Sequence, residues 1–168
     1  MNILTISGSA QKESRNEQFL KAIPTVIAGH QFTHFNSITD FPLFNPQLDN
    51  TPPEIILSFK QQLVNADMVI ISTPEYVYNI PAVLKNALEW ITSSGELYNK
   101  KVIAITYTPN TPRGEKAMQS LLWSLQALSA KIIAELPLYQ SDLKVSKDGT
   151  LQGDEAIESI KTLFDFIK

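Results

Sequence analysis

Between Asp67 and Trp90 the chain reads DMVIISTPEYVYNIPAVLKNALEW, and this stretch leaves few choices of fold. Asp67 to Ser72 is a nearly continuous apolar run, the pattern of a central parallel strand covered on both faces. Thr73 and Ile80 each precede a proline, which pushes both toward extended backbone. Pro81 suits the first position of a helix, where its missing N–H costs nothing. The loop Pro74 to Asn79 is therefore expected to be extended, at the carboxyl end of a strand and above a helix N-terminus. In an open α/β sheet that is where ligands bind. The plainer alternative is an ordinary strand-to-helix connection whose prolines only set its shape.

The rest of the chain repeats the alternation. Strands are expected at Ile3–Ser7, Gln31–Asn36, Lys101–Tyr107 and Lys131–Leu136. Between them, apolar residues recur at helical spacing. Ile55, Ile56, Phe59, Leu63 and Val64 mark a helix over 52–66, and Val83, Leu84, Ala87, Leu88 and Ile91 mark one after Pro81. Ala117, Leu121, Leu125 and Leu128 place another at about 115–129. A last helix at about 154–167 carries Ile157, Ile160, Leu163, Phe164 and Ile167. Ser14 followed by Glu17 is a capping box that opens the first helix. Residues 137–152 are expected to be an excursion with a turn at Asp148-Gly149. Five strands alternating with five helices give an α/β fold with a parallel sheet, and right-handed crossovers make the doubly wound arrangement its simplest closure. The 168 residues form one expected domain, 1–168, without repeat or linker.

Composition narrows the function. A net charge of −3 and no basic cluster argue against a nucleic-acid partner. Without cysteine there is no disulfide and no thiol chemistry. His30 and His34 are expected to be solvated strand positions, with no metal site. No run approaches a membrane span, and the first residues lack the basic segment of a signal peptide, so a cytoplasmic protein is expected.

Three loops should converge at the carboxyl edge: 8–16, 73–80 and 108–114. The first, GSAQKESRN, is neither a P-loop nor a GxGxxG fingerprint. Ser72 ends the third strand where a receiver domain would need an aspartate, and no GxSxG elbow exists. A serine-lined first loop at a helix start suits a phosphate monoester, and an extended second loop suits a flat heterocycle. Together they point to a mononucleotide of the flavin kind.

Residues 8–16, GSAQKESRN, and 74–90, PEYVYNIPAVLKNALEW, are similar to the motifs GSxRxxSxN and PEYNxSxPxxLKNAxDW of the NADPH-dependent FMN reductases. PLFNP at 42–46 and DGTL with EAIESIKTLFDF near the end also resemble that flavodoxin-like family, so the likeness covers essentially the whole chain. It implies a three-layer α/β/α fold with a five-stranded parallel sheet in the order 2-1-3-4-5. It implies bound FMN, NAD(P)H as co-substrate, and a small-molecule acceptor such as a quinone, azo compound or free flavin. A homodimer, or an oligomer built from dimers, is implied too, with Trp90 and Trp123 as candidates for its interface. On this resemblance Ser9, Gln11, Ser14 and Asn16 cradle the phosphate. Pro74, Glu75, Tyr76 and Val77 lie along the ring through their backbone, with Glu75 shaping the loop. Thr108, Pro109, Asn110 and Gly114 line its other side. The flavin carries the chemistry, so no catalytic side chain is expected.

Three departures from the family's motifs stand out. Gln11 replaces an arginine, removing a charge-assisted contact of roughly 1.5–3 kcal/mol. Val77 replaces an asparagine, and the third loop has a single glycine, Gly114. A binding protein with a weakened FMN site and no enzymatic activity is the alternative reading.

Overall fold

In a computed structural model, which describes residues 1–167, five parallel strands stand in the order β2-β1-β3-β4-β5. They are β1 (Asn2–Ser7), β2 (Gln31–Phe35), β3 (Met68–Thr73), β4 (Lys101–Thr108) and β5 (Lys131–Tyr139). Lys168, the last residue of the expected domain, lies outside the described residues. The helices are α1 (Arg15–Ala22), α2 (Glu54–Asn65), α3 (Ala82–Glu89), α4 (Glu115–Ala127) and α5 (Asp154–Phe166). This is the flavodoxin-like, doubly wound arrangement.

Side-chain alternation along the central strands builds the layers. Val69 and Ile71 of β3 point to one face, where α2, α3 and α4 cover them through Phe59, Leu63, Leu84, Leu121 and Leu125. Met68 and Ile70 point to the other, against Phe19 and Leu20 of α1 and Ile160 and Phe164 of α5. Every residue of β3 is buried, as its unbroken apolar run predicts. No helix among the described residues is long and apolar enough to cross a membrane.

Several boundaries move. Pro81 and Pro53 cap their helices from outside, which begin at Ala82 and Glu54. β5 continues through Pro137 to Tyr139, beyond the strand end expected at Leu136. Among the described residues it pairs only with β4, and an edge strand tolerates a residue with no N–H to donate. The excursion after it is an antiparallel hairpin, β6 (Lys144–Val145) with β7 (Leu151–Gln152). Tyr107 ties this hairpin down, donating its hydroxyl to the Leu143 carbonyl at 2.7 Å. His34 is half-buried rather than solvated, its Nδ1 2.9 Å from Thr5 Oγ1.

Candidate active site

Loops from β1, β3 and β4 meet at the carboxyl edge around a cavity of about 840 Å³. Its size is that of a small-molecule or cofactor site. Because β3 lies between β1 and β4, its loop forms the middle of the floor and the other two form the flanks.

The first flank is a helix start. Ser14 Oγ accepts from the Glu17 amide at 3.1 Å, as the capping box requires. Glu17 reaches back to the Glu13 amide at 2.9 Å rather than to that of Ser14. Burial opposes its charge, but the Lys21 ammonium and that amide outweigh it and hold Glu17 below the ordinary carboxylate range. Its carboxylate is thus turned away from the ligand space. The amides of Arg15 and Asn16, the first two of α1, have no acceptor among the described residues. Ser9 Oγ accepts from the Gln11 amide at 3.2 Å and keeps its own hydrogen.

The Asn16 side chain, which lines the cavity, is already engaged within the protein. Its Oδ1 accepts from Ser72 Oγ at 2.7 Å and its Nδ2 donates to the Tyr107 carbonyl at 3.1 Å. The side chain is a buried clamp that joins α1 to β3 and β4. Arg15, which the sequence motif did not single out, lines the same cavity as Gln11 and brings a cation to it. It sits near Tyr107, whose phenol pKa burial raises and Arg15 partly lowers.

The floor departs most from expectation. It is no extended loop, because Tyr76 and Asn79 exchange both backbone hydrogen bonds, at 2.9 and 3.0 Å, around a two-residue turn. Val77 and Tyr78 at its tip have φ of 52° and 56°. Both central residues at positive φ make a type I′ turn, normally built with Asn-Gly. A β-branched residue there is a genuine outlier. The Tyr76 amide is consumed inside the turn, whereas those of Val77 and Tyr78 keep no acceptor among the described residues. Val77 is 97% exposed.

Glu75 does shape the loop, over a long distance. Its Oε2 accepts from the amides of Lys116 and Ala117 at 3.0 and 3.1 Å, capping α4 from another loop. Gly114, the residue before that helix, has no side chain to do so. Asn79 Oδ1 accepts from Ser120 of α4 and from the Ile80 amide, adding a second anchor that the motif reading missed.

On the third flank Thr108 and Pro109 line the cavity, while Asn110 and Gly114 do not. Asn110 donates to the Thr111 carbonyl at 3.1 Å and so stays within its loop. Gly114 has φ 104°, and a Cβ there would lie 3.0 Å from Thr106 Oγ1. Its work is to bring α4 close to β4. Beyond the expected set the lining also takes in Pro112, Arg113, Glu115, Lys116 and Gln140. Trp90 cannot serve an interface: it is fully buried and donates to the Pro42 carbonyl at 2.8 Å. Trp123 is 64% exposed.

Residues 1–140 match the family model described as NADPH-dependent FMN reductase. A 2-hydroxy-1,4-benzoquinone reductase of Burkholderia sp is 27% identical, over 98% of this chain and 93% of its own length. A quinone reductase of Escherichia coli (strain K12) is 28% identical over 79% of this chain and 73% of its own. Among solved structures, FerB, a flavoenzyme NAD(P)H:(acceptor) oxidoreductase from Paracoccus denitrificans, has the same fold. Its TM-score is 0.79 at 22% identity, covering 98% of this chain and 93% of that one. The cavity lies where the strand order 2-1-3-4-5 reverses, and the family match spans most of the chain. The protein belongs to the NADPH-dependent FMN reductase family.

Proposed function

We propose that this single domain, residues 1–168, is an FMN-dependent NAD(P)H oxidoreductase acting on quinones or similar small acceptors. The carrying observation is the pairing, in one cavity, of a helix start with free amides and Arg15 and a turn whose Val77 and Tyr78 amides are also free. That donor set fits FMN, a phosphate monoester attached to a planar ring. The amides of Arg15 and Asn16, the hydroxyls of Ser9 and Ser14, and the Arg15 guanidinium would hold the phosphate, with the helix macrodipole in their favour. Pro74, Tyr76 and Val77 on the floor, with Thr108 and Pro109 beside them, would flank the ring.

When bound, FMN supplies the capacity to take a hydride from NAD(P)H and pass two electrons to the acceptor. Overall, the nicotinamide gives two electrons and a proton, solvent gives a second proton, and a quinone leaves as its hydroquinone. The chain's contribution is to orient and to stabilise charge. Glu75 and Asn79 hold the turn against α4, which keeps the free amides of Val77 and Tyr78 in place as donors. The relatives named as quinone reductases support this acceptor class. A cytoplasmic location suits the demand for NAD(P)H. A homodimer is supported by the exposed Tyr78 and Trp123, which share one surface depression beside the cavity.

The test is a comparison of FMN with riboflavin by fluorescence quenching, followed by NADH or NADPH addition without air. FMN should bind more tightly, and its colour should bleach within seconds. Equal affinity for the two would remove the phosphate site, and bound FMN that neither nicotinamide reduces would end the oxidoreductase reading.

A further inference from the structure

Three cations line the cavity, Arg15, Arg113 and Lys116, and none forms a salt bridge among the described residues. A phosphate monoester accounts for one of them, Arg15 at the start of α1. Arg113 and Lys116 lie on the other flank, on either side of Gly114 at the start of α4, whereas Arg15 stands at the start of α1. Both are exposed, in a chain whose net charge is −3 and which therefore offers carboxylates in excess. Two carboxylates do border the same cavity. Glu75 is committed to the α4 amides, and Glu115 is left as the opposing charge. Tyr76, Pro109 and Pro112 line the same cavity and add an aromatic ring and two stiff apolar rings to it.

We propose that Arg113 and Lys116 select the electron acceptor, favouring planar aromatic compounds that carry a negative charge over neutral ones of equal size. The charge would be a carboxylate, a sulfonate or an ionised hydroxyl on the ring. This rests on the cavity being the flavin site proposed above. An acidic protein repels an approaching anion at long range, so a local pair of cations at the mouth decides whether such an acceptor enters. Within roughly 8–10 Å of that mouth the pair acts before salt screens it. The aromatic ring of Tyr76 and the apolar proline rings supply binding that needs no charge, so neutral quinones enter too, without the electrostatic gain.

The experiment uses the FMN-loaded protein with saturating NADH, repeated with NADPH, and two acceptors, 1,4-naphthoquinone-2-sulfonate and 2-methyl-1,4-naphthoquinone. The readout is the ratio of their kcat/KM values. Replacing both cations, R113Q with K116Q, should lower that ratio about tenfold, and R113K with K116R should keep it. Raising salt from about 20 to about 200 mM should lower the ratio in the wild type and not in the glutamine variant. An unchanged ratio, with flavin still bound, overturns the inference. So does a loss confined to NADPH against NADH, which would give the cations to the 2′-phosphate of the reductant. A wild-type chain that holds no FMN overturns the function proposed above as well, and its absorbance spectrum separates that failure from the others.

Discussion

The flank built on α1 and the turn on β3 both face the cavity, yet they are held in place by opposite means. In the α1 flank, Ser9, Ser14 and Glu17 bond amides at most four residues away. The wall closes on itself and is shaped before any ligand arrives. The β3 turn carries two residues at positive φ and is fixed by Glu75 and Asn79 to α4, 41 or 42 positions along the chain. It keeps its geometry only while α4 stays docked. One wall is pre-organised by local chemistry; the other is strained and depends on tertiary contact.

Asn16 is the point where the local wall becomes non-local, so its loss should have the largest effect. Asn16→Ala leaves the Ser72 hydroxyl and the Tyr107 carbonyl without partners in a dry site. Urea unfolding should show a loss of about 2–4 kcal/mol, with weaker FMN binding. A loss under about 1 kcal/mol would mean that water replaces the clamp.

Next come the two carboxylates that fasten the two walls. Glu75→Ala removes the α4 cap and one of the turn's anchors, and should cost about 1–2 kcal/mol and slow flavin reduction. Glu17→Ala, which loosens only its own helix start, should cost about 0.5 kcal/mol and leave the reduction rate nearly unchanged. Equal effects on the rate would erase the distinction between the walls.

The smallest effect is expected at the turn's tip. Val77→Asn should raise stability by about 0.5–1 kcal/mol, because asparagine tolerates the left-handed region. Val77→Pro should lower it, since proline is locked near −65°. A neutral asparagine and a tolerated proline together would show that the turn opens readily in solution.

The same contrast decides what could be read from the sequence. Ser14 with Glu17 three residues on, the apolar run before Thr73 and the stripes of the helices are local patterns, and each is where it was expected except at Val64, which is exposed on α2. Glu75 and Asn79 are visible as motif letters, but their partners on α4 are fixed only by the packed fold. Val77-Tyr78 carries no turn signal, having neither glycine nor asparagine at the tip, so the loop reads as extended. Pro137 reads as a strand end because the edge position that tolerates it is a property of the sheet. Arg15 was hidden in a different way: the eye goes to Gln11, where the motif has its arginine, and passes over a cation beside the cap.

The hydrogen bond from Tyr107 to Leu143 bears on where this domain can be cut. The family match ends at residue 140, yet Leu143, Leu151, Ile160 and Phe164 complete one face of the sheet against Ile3, Phe19 and Tyr107. A fragment stopping at the match would bare that face and untether a tyrosine bordering the cavity. Expression and fusion boundaries therefore belong after α5. The exposed tip at Asp148-Gly149, which contributes nothing to that core, is the better place to splice in foreign sequence.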